Sequence, residues 1–248
     1  MKIQFDADLE TLKHMLMDMA VSVEQMLEVA NRSLFAKDPS TMKQVYELEN
    51  KVNHIEVEIE GYAVTLIARH QPAATDLRFI VSVIKIAHHL ERMGDLAINI
   101  EKRLPEIAKI SLPVFPENLK TISGVSLNML KKAVAAFVNH DAEKAREVCE
   151  TDDQVDELNK SLLKLFINDM IHSRMDAEEG IKMVMVAKQY ERIGDCATNF
   201  AEEIIYYVLG KNIKHHFEKE ENAKLREMPD VDVVPGPETS PPGEKQEE

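Results

Sequence analysis

The stretch ERMGDLAIN at residues 91–99 returns as ERIGDCATN at residues 191–199, with six of nine positions identical at an offset of 100. Self-similarity of this kind constrains a chain more than any single motif, because each copy must build the same supersecondary unit. Asp76 and Asp176 keep the same offset. Upstream, ENKVNHIEVEIE (49–60) lines up with DDQVDELNKSLL (152–163) at an offset of 103, and the three-residue difference falls in the loop between the two blocks. A chain of 248 residues, long enough for one large domain or two small ones, therefore reads as one unit written twice.

The unit is helical. Leu9, Leu12, Leu16, Met19, Val23, Met26 and Val29 recur every three or four residues and predict a first helix over about 8–36. Asp38 and Pro39 supply a cap followed by a proline suited to a first helical position. Leu48, Val52, Ile55, Ile59, Ala63 and Leu66 carry a second helix to about 69. Pro72 breaks it and opens a third, which runs to about 103 through Ile80, Ile84, Ala87, Leu90, Gly94, Ala97 and Ile98. Pro105, Pro113 and Pro116 mark a linker. A fourth helix starts at Pro116 and runs to about 138, a fifth follows the cap Asp141 to about 171, and Asp176 with Glu179 resembles a capping box for a sixth that ends near Gly210. The expected fold is all-α, two tandem three-helix bundles over 1–110 and 111–217, each large enough for a core of its own. Residues 218–248 hold five of the ten prolines and carry a net charge of -6, the composition of a disordered acidic tail.

The whole chain carries a net charge of -14, leaving -8 on the body. An acid surplus of that size repels nucleic-acid backbones and anionic membranes, and fits solubility, cation binding or a basic protein partner. Cys149 and Cys196 form no CxxC pair and read as small buried hydrophobes in a reducing compartment. MKIQFDADLE has two acids where a signal peptide needs an apolar stretch, and apolar runs such as Ile204–Leu209 reach six residues where a span needs about 20. A cytoplasmic protein with no direct membrane insertion is expected.

Both copies place an acid and an aspartate four apart on a helix, Glu91 with Asp95 and Glu191 with Asp195. Side chains at that spacing share a face, and like charges there are destabilising unless something cancels them. Asn99 and Asn199 extend each stripe by one turn. A facing helix offers Asp152 and Asp156 in the second copy, and Glu49 and Asn53 at the aligned positions of the first. Such oxygen donors suit Mg, Mn or iron and, less strongly, zinc, and bridging carboxylates allow more than one ion. A solvated acidic face remains the competing reading, as in a metal-free structural dimer, and a metal-dependent hydrolase or oxidase on a helical bundle is a third. The ExxH spacing of di-iron bundle enzymes is missing from the stripe, and no phosphate-binding glycine loop, HExxH or nucleophile elbow occurs. His88 shares the face of Glu91, but the second copy has Lys188 there, so a histidine ligand repeated in both copies is excluded. Gly94 and Gly194, costly in mid-helix, point to close helix–helix approach.

TDLRFIVSVIKIAHHLERMGDLAINIEKRL (75–104) and ERIGDCATNFAEEIIYYVLGKNIKH (191–215) closely resemble the two signature regions of the PhoU family, and the resemblance spans residues 1–217. It implies two three-helix bundles related by a pseudo-twofold axis, with multinuclear iron or zinc clusters held on the bundle surface by E(D)xxxD motifs. It further implies a non-enzymatic, cytoplasmic and commonly dimeric protein. Such a protein negatively regulates phosphate uptake and the phosphate-starvation response through the ATPase of a phosphate ABC transporter and a membrane sensor histidine kinase. The motif carries over as Glu91, Asp95, Glu191 and Asp195, faced by Asp152 and Asp156 in the second bundle and by Glu49 and Asn53 in the first. Asn53 departs from the acid, so the first site is expected to bind metal less tightly.

Overall fold

Apolar residues spaced three and four apart build six long helices in the computed structural model, which describes residues 2–110 and 115–213. They are α1 (Lys2–Ala36), α2 (Met42–His70), α3 (Ala74–Glu101), α5 (Glu117–Asn139), α6 (Ala142–Ile171) and α7 (Ala177–Leu209), with a single-turn helix α4 (Leu104–Ile107) between the two sets. No strand occurs among the described residues. The proposed acidic tail, 218–248, lies outside them, as does Pro113 of the linker. No helix among the described residues is long and apolar enough to cross a membrane.

Local chemistry sets several helix ends. Asp141 accepts from the Lys144 N–H at 2.9 Å and caps α6, and Asp176 accepts from the Glu178 N–H at 2.8 Å and caps α7. Gly210 closes α7 at φ 70, where a side chain would be strained, and its N–H donates to the Tyr206 carbonyl. Three expectations need correction. The first helix begins at Lys2, not near residue 8, because its opening turns are anchored to α2: Asp8 accepts from Tyr62 and pairs with His70 at 3.0 Å, and Phe5 packs on the His70 ring. Asp38 caps a 3₁₀ turn, Pro39–Thr41, ahead of α2 and not α2 itself. Pro105 sits inside α4, in a first turn where its missing N–H costs no hydrogen bond.

The helices pack as two trios, α1 with α2 and α3, and α5 with α6 and α7. The motif-bearing helices α3 and α7 also pack on each other, α1 touches α5, and the residues up to Asn212 form one compact unit. A Cβ added at Gly94 would stand 3.8 Å from Val52, and one added at Gly194 would stand 3.1 Å from Val155. Val52 and Val155 are aligned positions, so each copy uses a glycine to bring its third helix against the second at the same level. The first core is built largely from Leu12, Leu16, Met19, Met26, Leu27 and Ile59, and the second from Phe137, Phe166, Tyr190 and Phe200, all fully buried.

Candidate metal centre

In the second copy α6 and α7 run antiparallel, joined by the short loop from His172 to Asp176, and set their acidic stripes face to face. Asp152 accepts from the Thr198 hydroxyl at 3.2 Å. Its carboxyl is pushed above the usual carboxylate range by burial first, against the pull of the Thr198 hydrogen bond, and then by the charges of Asp156, Asp153 and Glu191. The Asp195 carboxyl is pushed up to about 6, by desolvation and then by Glu191 and Asp152, with Lys188 opposing. Lys160 lies 3.8 Å from Asp156 at the edge.

Glu191 is the innermost group, 9% exposed. One of its oxygens accepts from the Lys188 ammonium, while Oε2 is buried without a hydrogen-bond partner. A buried carboxylate oxygen left unpaired is costly, and a cation is the partner that neighbouring acids select. Asp152, Asp156, Glu191 and Asp195 thus influence one another electrostatically and suit a hard or borderline cation in kind, but no three of them offer ligand atoms within 4.8 Å of one another.

In the first copy, burial comes first again in raising Glu49 on α2, with Lys102 lowering it and Asp95 raising it. Glu91 is raised by burial, then by Asp95 and Glu56, against His88 and Arg92. The structure thus brings Glu49, Glu91 and Asp95 into one electrostatic group. Asn53 stands exposed on α2, between Glu49 and Glu56. Of the terminal asparagines, the Asn199 side chain is spent locally, donating to the Asp195 carbonyl at 2.8 Å, while the Asn99 main-chain carbonyl accepts from the Arg103 guanidinium.

Sequence reasoning missed Glu56. Its carboxylate, the His88 imidazole and the Glu91 carboxylate offer ligand atoms that all lie within 4.8 Å of one another. The spacing held the signal, since Glu56 follows Glu49 and Asn53 by seven and three residues on one face of α2. With Glu56 counted, each copy presents four acids, and the neutral Asn53 is made up one turn along.

Cys149 is half-buried and its thiol is pushed up to about 12 by burial, then by Glu202 and Asp152; Cys196 is buried and pushed up to about 11. Both therefore stay protonated, as small core-lining groups do. Cys196 also senses Arg92 and Glu91 on α3, which places the two signature motifs near each other where α3 meets α7.

A family model described as the PhoU domain matches residues 16–104 and 119–204, once in each copy. The chain is 31% identical over 214 residues to phosphate-specific transport system accessory protein PhoU homolog 1 of Thermotoga maritima, covering 86% of this chain and 92% of that one. The crystal structure of PhoU from Pseudomonas aeruginosa superposes with a TM-score of 0.80 at 32% identity, over 84% of this chain and 100% of that one. The phosphate transport system regulatory protein PhoU from Streptococcus pneumoniae gives 0.78 at 26% identity, over 84% and 98%.

Proposed function

The chain belongs to the PhoU family, and we propose that it is a regulator of phosphate uptake that works by binding and not by turnover. Its relatives are named as accessory and regulatory proteins of phosphate transport, which supports an association with that machinery. In this reading it restrains the phosphate ABC transporter and the phosphate-starvation response from the cytoplasm, as a homodimer, by contacting the transporter ATPase and a sensor histidine kinase.

The observation that carries the mechanism is the buried, unpartnered Glu191 oxygen within the carboxylates of Asp152, Asp156 and Asp195. Iron or zinc, with Mn or Mg as alternatives, is held there as a multinuclear cluster, and Glu49, Glu91 and Asp95 form its counterpart in the first copy. Bound cations neutralise two faces that would otherwise repel an acidic partner, and fix side chains that would otherwise move apart. Regulation then becomes the presentation of a metal-ordered surface.

The double variant Glu191→Ala with Asp195→Ala tests this. Metal content of the purified protein is expected to fall, together with retention of the transporter ATPase in pulldowns at high phosphate. Unchanged metal content would remove the site assignment. Lost metal with unchanged retention would remove the docking role.

A further inference from the structure

We propose that Glu56, His88 and Glu91 form a mononuclear site for a zinc-class divalent cation, confined to the first copy and sharing only Glu91 with the stripe of Glu49, Glu91 and Asp95. Glu56 comes from α2, while His88 and Glu91 stand three residues apart on α3, so one ion ties the two helices together. His88 Nδ1 lies 3.4 Å from Glu56 Oε1. Neighbouring ligands of a tetrahedral ion with bonds of about 2.0–2.1 Å stand roughly 3.3 Å apart, so this edge is already at coordination spacing. Three protein ligands leave the fourth position to water. The Glu56 side chain is 19% exposed and that of His88 is 59% exposed, which puts a sheltered carboxylate at the floor and an accessible imidazole at the mouth.

The donor set differs in kind from the stripe. The stripe offers oxygen alone, whereas this group adds an imidazole nitrogen, which moves the preference from hard cations toward zinc and its neighbours.

The second copy supplies the independent comparison. Its aligned positions hold Asn159, Lys188 and Glu191. There the Lys188 ammonium donates directly to the Glu191 carboxylate. The same place in the fold therefore seats a cation built into the chain in one copy. In the other, Lys is replaced by His, which offers a lone pair in place of a charge, and Asn by a further carboxylate. Both changes replace the built-in ammonium with groups that a cation from outside can join, whereas in the second copy Lys188 occupies one Glu191 oxygen and leaves the other to the stripe.

The site shares Glu91 with the stripe but needs neither Glu49 nor Asp95, so the two readings fail separately. The test titrates the metal-depleted full-length protein with Zn2+ in competition with a chromophoric chelator and follows the histidine ring nitrogens by NMR. His88→Lys reproduces a side chain that the second copy already accommodates, so the fold is expected to survive, as a thermal melt checks. That variant is expected to lose one equivalent of Zn2+, whereas in Asp95→Asn, which removes a ligand of the stripe, the His88 resonances still move on Zn2+ addition. Asn159→Glu with Lys188→His is expected to gain one equivalent. An unchanged isotherm in His88→Lys, or His88 resonances indifferent to Zn2+, would overturn the proposal. Loss of the His88 response to Zn2+ in Asp95→Asn would overturn its independence from Asp95.

Discussion

The two copies share a backbone plan and a glycine–valine contact but fill them with different chemistry. Fully buried aromatics crowd the second copy, where Phe137 lies 6.3 Å from Phe200 and 5.9 Å from Tyr207 between ring centroids, and Phe79 reaches in from α3 at 6.0 Å. The first copy closes the corresponding space with aliphatic side chains and methionines, of which Met26 packs beside Gly94. The acidic faces diverge too, with Lys188 seated against Glu191 in one and His88 beside Glu56 in the other. What both copies keep is the set of close approaches that fixes helix geometry and the four-residue acid spacing. Packing around those points, and the cation that answers the acids, have been free to change.

Breaking the aromatic core tests that contrast most severely. Phe137→Ala removes a ring that contacts Phe79, Phe200 and Tyr207 and is expected to cost about 3–5 kcal/mol in chemical denaturation. Met26→Leu, which conserves volume at a flexible site in the first copy, is expected to cost less than about 1.5 kcal/mol. Similar losses from the two would show that the copies are packed alike despite their composition.

Much of this architecture is legible in the sequence because its signals are local. Asp141, Asp176 and Gly210 fix helix ends through bonds to residues a few positions away, and the heptad-like spacing of Leu12, Leu16, Met19 and Val23 reports a buried face directly. The start of α1 is not legible, because its first turns are held by Tyr62 and His70, more than fifty residues distant. The site divides the same way. Repetition exposes Glu91, Asp95, Glu191 and Asp195, yet the same criterion discards Glu56 and His88, because a feature particular to one copy looks like drift until the helices are set side by side.

The glycines sharpen the comparison by sign. Ala at either position relieves a helix of about 1 kcal/mol of propensity cost. At Gly94 the new methyl would meet the end of Met26 at 3.4 Å, a flexible chain that moves aside. At Gly194 it would meet the Val155 methyl at 3.1 Å, and a β-branched side chain has no spare rotamer in a helix. Gly94→Ala is therefore expected to raise stability by up to about 1 kcal/mol, and Gly194→Ala to lower it by about 1 kcal/mol once overpacking outweighs propensity. Equal shifts in thermal melts would mean that Val155 yields as readily as Met26.

The mildest test is electrostatic. With Asp195 pushed up to about 6 from 3.8, the folded protein holds that proton more tightly than the unfolded chain does. In metal-depleted protein its contribution is therefore fully present below about 4 and is lost as pH rises through about 6. Asp195→Asn is expected to flatten that decline in melts taken across the interval. Glu91→Gln, raised by burial and by Asp95 and Glu56, is expected to flatten it less, because its displacement is the smaller one. The effect stays modest, since Asp195 is exposed and water screens part of the crowding by Glu191 and Asp152. Adding Zn2+ or iron should abolish the decline altogether, because a ligating carboxylate is ionised throughout. If the decline persists in the metal-loaded protein, or if the two variants flatten it equally, the second copy is not the more strongly coupled acidic face.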